Sequence, residues 1–466
     1  MKHHHFLIIS FPIQSHINPT LQLAKNLARA GAKVTFATTV RGLRRVQQSL
    51  PILTGLSYAS FSDGHDEENN PSGSDYTGYM ADFRRFGSEN LTKILQKFVN
   101  EGQSVTCLVY TLLVPWAAAV AREMHVPSAF LAIQCATAFA IYHRFFNSHD
   151  GIHAGGIASF SSLEIPGLPM FSSGDLPTFL FSDNPMNAFL VPLMLEHIQE
   201  IEKDNESLVF LNTFEELEQE AVKAFDNKLN VIAIGPLVPS AFYNAADSTD
   251  KPFGGDMFSK NEDYFQWLDS KPEKSVVYVA FGSLVVMNRA QKVEILHGLL
   301  ESKRPFLWVI RSGSEEEEEE EMKKMLENEL NNGDGIIVPW CSQTEVLSHN
   351  SIGCFVTHCG WNSILESLVC GVPLICCPCF SDQTTNAKLV EEVWGTGVRA
   401  RINEEVVMER GELRKCLDMV MGHGERGKDI RRNAQKWRGL AIEAVRDGGS
   451  TYNNLRKVLE SSRSNS

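Results

Sequence analysis

The sequence predicts an α/β protein with two doubly wound, mostly parallel sheets. Strand-length apolar runs alternate with helical periods in both halves of the chain, and each half starts its own strand–helix–strand series. A stretch of Ser, Asp, Gly and Pro without period separates the halves and is typical of a linker. We therefore predict domains at residues 1–240 and 261–446, a linker at 241–260, and a terminal helical segment at 447–466.

The strand–helix–strand unit at the start of the chain has the clearest sequence pattern. It comprises strand Phe6–Phe11, loop Pro12–Asn18, helix Pro19–Ala30, a stop at Gly31 and strand Lys33–Thr38. Proline in the first turn of a helix and glycine just past its last turn are the expected asymmetry. This order predicts a β-α-β unit at the start of the chain.

The loop after the first strand contains His16. In open α/β sheets, ligands bind at the carboxyl ends of the strands, so His16 is a candidate functional residue. Its sequence context alone favours an ordinary, hydrogen-bonded loop histidine, and both interpretations stay open at this point.

The alternation continues through both halves. In the first half we predict strands Val105–Tyr110, Ser128–Ile133, Leu208–Asn212 and Val231–Ile234 and helix Trp116–Arg122. In the second half we predict helices Asn261–Asp269, Asn288–Ser302, Glu412–Met421, Glu425–Arg446 and Thr451–Ser461 and strands Val276–Ala280 and Phe306–Ile310. Ser283 follows a strand end of the second half and should face the same ligand region as the next strand-end turn.

That next turn lies within the stretch 340–383, where His358-Cys359-Gly360-Trp361-Asn362-Ser363 follows a short apolar strand and opens a helix. Gly360 allows the backbone to approach a ligand, and the N–H groups from Asn362 onward point out of a helix N-terminus, which favours phosphate. The alternative is purely structural. Ser363 and Glu366 have the spacing of a capping box that needs no ligand.

The side chains around this turn favour a ligand. They supply a stacking aromatic ring, an anion site and a carboxylate–amide pair suited to hydroxyls: Trp340, Gln343, His358, Trp361, Asp382 and Gln383. Together they describe a nucleotide-sugar. From its first Trp to its last Gln, the stretch resembles the donor-binding signature of plant UDP-dependent glycosyltransferases. The resemblance covers essentially the whole chain and is greatest to flavonoid and anthocyanin O-glucosyltransferases and to enzymes that form glucose esters.

The resemblance implies the GT-B fold, in which two Rossmann-like domains with parallel sheets face each other across a cleft. The first domain would bind the acceptor, the second would bind the UDP-sugar, and the last helix would cross back onto the first domain. The donor roles carried over are uracil stacking and edge contacts for Trp340 and Cys341, ribose contacts for Gln343 and Glu366, phosphate contacts for Ser283, His358, Asn362 and Ser363, and sugar contacts for Trp361, Asp382 and Gln383. Relatives that use galactose tend to carry His where this chain has Gln383.

The resemblance also implies a catalytic residue. The motif FPIQSHINP is similar to the family loop FPxQGHxxP, whose His is the general base, with Ser15 here in place of the usual Gly. In the stretch CLVYTLLVPWA, Thr111 stands where many relatives have an Asp that orients His16. Ala132 stands where relatives often have Trp, which implies an altered or roomier acceptor pocket, with Gln134 as a further acceptor contact.

Regions without clear period are expected to complete that pocket. They are 145–185, 133–135 and 62–70. The acidic run Glu315–Glu321 is expected to be a solvated loop.

The composition limits the partners. A net charge of −14, from 43 basic and 57 acidic residues, argues against nucleic acid and anionic membrane surfaces. The ten Cys show no disulfide framework, and the cluster Cys376, Cys377 and Cys379 indicates reduced thiols at a strand end. No secretory signal or apolar run of ~20 residues is present. We expect a monomeric cytosolic protein whose partners are a UDP-sugar and a small acceptor.

These observations predict inverting, metal-independent transfer of glucose from UDP-glucose to a hydroxyl or carboxyl of a small plant metabolite. No Asp-x-Asp tract lies near the nucleotide site, so neither a metal nor a cofactor is expected, and the helix N-terminus and His358 would meet the phosphate charge. Two alternatives remain. One is a nucleotide-dependent oxidoreductase, disfavoured because the first strand lacks a Gly-rich fingerprint. The other is a GT-B-like UDP-sugar binding protein with little catalysis, which the absence of the Asp keeps open.

Overall fold

The computed structural model describes residues 4–67, 76–147, 162–181, 183–184, 186–203, 207–225, 229–242, 250, 263–282, 287–310, 334–403 and 407–461. Its strands are β1 His5–Ile9, β2 Lys33–Thr39, β3 Leu56–Phe61, β4 Cys107–Thr111, β5 Ser128–Ala132, β6 Ser162–Leu163, β7 Phe171–Ser172, β8 Leu208–Leu211, β9 Asn230–Ala233, β10 Val276–Ala280, β11 Phe306–Val309, β12 Gly335–Val338, β13 Ile352–Thr357, β14 Leu374–Cys376 and β15 Gly397–Arg399.

The helices in the described ranges are α1 Gln14–Arg29, α2 Val40–Val46, α3 Tyr76–Asn100, α4 Trp116–Glu123, α5 Ala136–Asn147, α6 Asn187–Glu202, α7 Glu215–Lys223, α8 Asp263–Asp269, α9 Arg289–Ser302, α10 Gln343–Ser348, α11 Trp361–Cys370, α12 Gln383–Lys388, α13 Arg410–Met421, α14 Glu425–Val445 and α15 Ser450–Ser461. A π-helical turn, Leu389–Val393, continues α12, and 3-10 turns occur at Ser173–Asp175, Thr178–Leu180 and Ser240–Phe242. No helix in these ranges is long and apolar enough to cross a membrane.

The two large sheets are parallel throughout. The first has the strand order β3-β2-β1-β4-β5-β8-β9, and the second has the order β12-β11-β10-β13-β14-β15. Helices cover both faces of each sheet, so the central strands β1, β4, β10 and β13 are buried along their whole length. The predicted α/β class with two Rossmann-like sheets is confirmed.

The strand order reverses once in each sheet, and these reversals define where a ligand can bind. In the first sheet β1 lies beside β4, and in the second β10 lies beside β13. A crevice opens outside the carboxyl ends of the strands at such a reversal. Phe11 and Pro12 after β1, Phe281 and Gly282 after β10, and the turn that starts at His358 after β13 line one cleft at these reversals, as the sequence predicts.

The first helix differs from the prediction. It begins at Gln14 rather than at Pro19, so His16 lies in its first turn and not in a loop. Proline lacks the N–H that an interior helical position needs, which is why the sequence pattern favoured a helix start at Pro19. The helix instead accommodates Pro19 in its interior, and the carbonyl group of Ser15, four residues earlier, loses its helical partner.

The last helix packs against the first domain. The side chain of Asn454 in α15 donates to the carbonyl of Ala233 at 3.0 Å, and the hydroxyl of Thr451 donates to the carbonyl of Gly235. The last strand of the first sheet ends at Ala233 and the second sheet starts at Val276, so the linker lies between them. The exact domain boundaries stay a prediction.

A seam of polar contacts joins the domains beside the cleft. Asp175 bridges to Arg399 at 2.8 Å and to Lys388 at 3.3 Å, and the hydroxyl of Thr385 donates to the Asp175 carbonyl at 2.7 Å. These contacts give residues 171–181, expected to form part of the acceptor pocket, a role at the domain interface. The acidic run 315–321 lies outside the described residues. All ten Cys are free, and all except the exposed Cys379 are buried.

Candidate active site

A cleft between the two sheets receives residues from both domains and has a volume of about 540 Å³. Ligand pockets usually lie between about 300 and 1,000 Å³, so the cleft can hold a small organic molecule or most of a nucleotide-sugar. His16 lines it from the first domain, and Trp340, His358 and Asp382 line it from the second.

The turn after β13 brings its backbone unusually close to the His358 ring. A Cβ atom added to Gly360 or to Gly282 would lie 2.6 Å from that ring, so both positions require glycine. Cys359, between His358 and Gly360, adopts a φ of 67°, a strained value for a residue with a side chain. Burial lowers the pKa of His358 to about 4, so its ring is neutral at pH 7 and can donate one hydrogen bond.

Helix α11 starts directly after this turn. Its N-cap is Gly360, and the first N–H bonded within the helix belongs to Ile364, which donates to the Gly360 carbonyl at 3.1 Å. Because helix geometry leaves the preceding N–H groups without intrahelical acceptors, this end can bind an anion. Ser363 is the third helical residue rather than the cap, so the capping box that served as the structural alternative does not form.

A buried network lies beneath the expected ribose position. The amide nitrogen of Gln343 donates to the Glu366 carboxylate at 2.7 Å and lies 2.9 Å from the Ser363 hydroxyl oxygen. The Tyr278 hydroxyl lies 3.4 Å from the Gln343 oxygen and from the Cys341 sulfur. Burial raises the pKa of Glu366 to about 7. The network therefore holds the Glu366 carboxyl group in place, and this group changes charge near neutral pH.

Trp340 is only partly buried, as a stacking platform must be, and it lines the cleft beside Cys341. Cys341 is 6% exposed, and burial raises the pKa of its thiol to about 12, so the side chain is uncharged and is not a nucleophile.

The three residues predicted to contact the sugar differ in which of their polar groups already have hydrogen-bond partners. The indole N–H of Trp361 donates to the Asn212 carbonyl across the domain interface at 2.7 Å, so its ring is already engaged. The Gln383 oxygen accepts from the N–H groups of Cys379 and Phe380 at 2.9 and 3.0 Å, which leaves the amide nitrogen for other partners, and the residue lines the cleft. Asp382 also lines the cleft, and burial raises its pKa.

His16 and Thr111 meet at the strand-order reversal of the first sheet. The His16 Nδ1 atom lies 3.4 Å from the Thr111 Oγ1 atom, and that hydroxyl lies 3.3 Å from the Leu112 carbonyl. A hydroxyl that donates to a carbonyl can accept from an imidazole N–H, which leaves Nε2 as the basic nitrogen. Burial lowers the pKa of His16 to about 3, so the ring is neutral.

The two predicted acceptor residues lie in different environments. Ala132 is fully buried in β5, and its carbonyl accepts from the N–H of Asn212 at 3.0 Å, so it lies in the core and not on the cleft wall. Gln134 lines the cleft and is 5% exposed, and neither atom of its amide has a partner among the described residues. The Glu218 carboxylate holds the adjacent backbone, because it accepts from the N–H of Ala136 at 3.0 Å.

Comparison with known proteins identifies the family. The family model described as UDP-glucoronosyl and UDP-glucosyl transferase matches residues 165–432. A phloretin 4'-O-glucosyltransferase of Malus domestica is 49% identical to this chain, and the alignment covers 99% of this chain and 98% of the relative. The chain belongs to the UDP-glycosyltransferase family.

Two further comparisons agree. The crocetin glucosyltransferase, chloroplastic, of Gardenia jasminoides is 46% identical over 99% of this chain and 98% of its own length. The crystal structure of Os79 from O. sativa in complex with UDP is similar with a TM-score of 0.85 and 30% identity, covering 98% of this chain and 100% of Os79. The expected GT-B fold and the assignment as a UDP-glycosyltransferase are confirmed, which excludes the oxidoreductase alternative.

Several residues of this UDP-glycosyltransferase site were not found from the sequence. Tyr278 supports Gln343 and Cys341, and its only sequence signal is a polar hydroxyl within an otherwise apolar strand. Arg41 and Arg45, on α2, also line the cleft, and Gly282 is required by the His358 ring. Ser283, predicted to contact phosphate, lies outside the described residues.

Proposed function

We propose that this UDP-glycosyltransferase transfers glucose from UDP-glucose to a hydroxyl or carboxyl group of a small plant metabolite, with inversion and without a metal. The observation that carries the proposal is the meeting of His16 and the N-terminus of α11 on one cleft, where Asn362 of α11 donates to the Ser15 carbonyl at 2.8 Å. A proton acceptor and an anion site on the same cavity are the two parts that glycosyl transfer from a diphosphate needs.

The donor fits the second-domain side of the cleft. Trp340 offers a face to the uracil, and Glu366, positioned by Gln343, offers oxygen atoms to the ribose hydroxyls. The diphosphate would lie at the N-terminus of α11, beside His358 and the Ser363 hydroxyl. Asp382 and the amide nitrogen of Gln383 would hold the glucose hydroxyls.

The leaving group can be stabilised by the chain itself. When the bond between the anomeric carbon and the diphosphate oxygen breaks, negative charge grows on that oxygen, and the α11 N-terminus carries a partial positive charge close to it. His358 adds a hydrogen bond from a neutral ring and gains positive charge if the diphosphate raises its pKa. We expect these groups to replace a divalent cation.

The acceptor is activated from the opposite side. His16 Nε2 takes the proton from the acceptor oxygen, that oxygen forms a bond to the anomeric carbon, and UDP leaves with the electron pair of the broken bond. Attack opposite to UDP converts an α-linked donor to a β-glucoside or a β-glucose ester. Thr111 keeps Nδ1 protonated so that Nε2 faces the acceptor.

Much of the first-domain lining of the cleft is apolar, which suits a flat, hydrophobic molecule. It contains aromatic and aliphatic side chains from several elements, namely Phe11, Ile13, Leu112, Leu113, Phe189 and Leu190. The relatives are named for phloretin and crocetin, a phenol and a carboxylic acid, and both classes fit such a lining. We propose one of these two classes as the acceptor.

Incubation with UDP-glucose and a panel of phenols and carboxylic acids, followed by mass spectrometry, tests the proposal. We expect a mass increase of one hexose, unchanged by EDTA, and slower reaction with UDP-galactose because Gln383 occupies the position associated with glucose. Loss of activity with EDTA or faster use of UDP-galactose would contradict the donor assignment. UDP binding without any transfer would instead favour a binding protein.

The cellular compartment and the oligomeric state stay predictions. The sequence predicts a monomer in the cytosol, whereas the Gardenia relative is named as chloroplastic. A fluorescent fusion and light scattering would test them.

A further inference from the structure

The interior proline of α1 leaves one backbone group available at the end of the helix that carries His16. Pro19 has no N–H, so the carbonyl of Ser15 cannot form the usual helical hydrogen bond four residues along the chain. A buried carbonyl without a partner costs free energy, so such groups are almost always bonded elsewhere. This carbonyl is adjacent in sequence to His16.

The partner comes from the other domain. The side-chain nitrogen of Asn362 donates to the Ser15 carbonyl at 2.8 Å, and Asn362 is the second residue of α11, whose N-terminus is the proposed diphosphate site. A single hydrogen bond therefore joins the first turns of two helices. One is α1, which carries the proposed base His16, and the other is α11, whose N-terminus is the proposed phosphate site. The replacement of Gly by Ser at position 15 does not affect this bond, because the bond uses the main chain.

We propose that Asn362 is a positioning residue that holds His16 against the bound donor, and that its side chain acts on the acceptor-activating helix rather than as a phosphate ligand. This inference rests on the proposed function of His16 as the base. Proton transfer requires the base within hydrogen-bond distance of the acceptor oxygen, and a displacement of about 1 Å is enough to slow such a reaction. Pro19 contributes to catalysis indirectly, because its missing N–H leaves the Ser15 carbonyl available to Asn362.

Other contacts hold the rest of the molecule in place, so the effect of Asn362 should be local. The far half of α1 is bound by the buried Asp250, which pairs with Lys25 at 2.6 Å and with Arg29 at 2.9 Å. The domains are also joined by the bond from Trp361 to the Asn212 carbonyl. Removal of the Asn362 amide should therefore release the first turn of α1 without separating the domains.

Asn362→Ala, compared with Ser363→Ala, tests the proposal. For Asn362→Ala we expect kcat to fall roughly 3- to 10-fold, the range for loss of one hydrogen bond, while the calorimetric Kd for UDP stays unchanged. Ser363→Ala is the matched control, since its hydroxyl faces the proposed phosphate site, and we expect it to raise the Kd for UDP. A raised UDP Kd in Asn362→Ala with unchanged kcat would overturn the proposal and make this residue a phosphate ligand.

Pro19→Ala tests the same bond from the other side without touching the donor site. Alanine restores an N–H that competes for the Ser15 carbonyl, so kcat should fall while UDP affinity is retained and helix α1 becomes no less stable. In the Asn362→Ala background, Pro19→Ala should have little further effect, because the bond is already absent. Unchanged kcat in Pro19→Ala, or effects of the two substitutions that multiply independently, would overturn the proposal.

The proposed roles of His16 and Asn362 can be tested separately. If His16 is not the base, His16→Ala will retain activity on a phenol whatever Asn362 does. If His16 is the base but Asn362 does not position it, only the Asn362 and Pro19 results will depart from expectation.

Discussion

The Nδ1 atom of His16 lies 3.4 Å from the hydroxyl oxygen of Thr111, at the position where many relatives place a carboxylate. A neutral hydroxyl can fix the tautomer of the ring but cannot stabilise the imidazolium that forms when the ring takes a proton. Burial already lowers the pKa of His16 to about 3. His16 should therefore be a weak base, and the rate should depend strongly on the acidity of the acceptor.

We expect His16→Ala to reduce kcat/KM much more for a phenol than for a carboxylic acid of similar shape. A carboxylic acid, with a pKa of ~4, is ionised at neutral pH, whereas a simple phenol, with a pKa of ~10, must lose its proton during attack. Steady-state kinetics on the matched pair measure the difference. Equal losses for both acceptors, or efficient glucosylation of alkyl alcohols by the unmodified enzyme, would contradict the expectation.

Thr111→Asp should make His16 a stronger base. A carboxylate beside Nδ1 raises the pKa of an imidazole. The value of kcat/KM for a weakly acidic phenol should therefore increase, and the acidic limb of its pH profile should move to higher pH. Thr111→Val is the control, because it keeps the shape and removes the hydroxyl. If Thr111→Asp left the pH profile in place, a different acid would have to orient His16.

The sequence predicted the cleft-lining residues of the second domain better than those of the first. The donor-binding candidates from Trp340 to Gln383 lie in one continuous stretch and all line the cleft, and local chemistry there predicts the turn at Gly360 and the start of α11. The strand limits followed from apolar runs, and β10 was predicted at its observed bounds. The apolar pattern of the strand itself was sufficient to predict β10.

Other features depend on contacts between distant residues, which no local pattern shows. The start of α1 was misplaced because a proline inside a helix is tolerated only when the freed carbonyl finds a partner, here Asn362. Ala132 was connected with the pocket because relatives often have Trp at this position, although the strand turns Ala132 into the core. The engagement of the Trp361 indole with Asn212 likewise requires both domains in place.

Trp340→Ala should weaken UDP binding. Stacking of a base on an aromatic ring contributes about 1–3 kcal/mol in other systems, so the Kd should rise roughly 5- to 150-fold. Isothermal titration calorimetry with UDP measures it, and Trp340→Phe, which keeps a smaller aromatic face, should lose less. If UDP affinity were the same in Trp340→Ala, the ring would be structural.

UDP affinity should decrease as the pH falls below 7. Burial raises the pKa of Glu366 to about 7, so in the empty enzyme its carboxyl takes up a proton as the pH drops through that value. Ribose hydroxyls donate best to the ionised carboxylate, so binding below pH 7 must first remove this proton and becomes weaker. Above pH 7 the group is already ionised and the effect disappears.

Calorimetric titrations with UDP from pH 5.5 to 8.5 measure this dependence, with Glu366→Gln as the control. The phosphate group of UDP itself titrates near pH ~6, but that contribution is common to both proteins. The difference between their slopes therefore isolates Glu366. Identical slopes would mean that Glu366 does not change charge when UDP binds.

The last prediction concerns Gln134, whose buried amide has no partner for its oxygen or its nitrogen among the described residues. An unsatisfied buried polar group costs about 1–3 kcal/mol, so we expect a ligand in the cleft to complete the hydrogen bonds of this amide. The amide both donates and accepts, which matches a hydroxyl group and suits a carboxylate only through its nitrogen. Gln134 and Asp382 line the same cleft, so Gln134 lies on the cavity that holds the proposed sugar position.

We expect Gln134→Leu, which keeps the volume, to leave the Kd for UDP unchanged and to lower kcat/KM roughly 10-fold, the effect of about 1.4 kcal/mol. The unmodified enzyme should also discriminate against whichever substrate lacks the hydroxyl that Gln134 contacts, and Gln134→Leu should lose that discrimination. Deoxy analogues of the acceptor and of the UDP-sugar, assayed separately, identify which of the two carries the hydroxyl. If Gln134→Leu kept full activity and became more thermally stable, its amide would be an unsatisfied group with no ligand, because removal of such a group stabilises the fold.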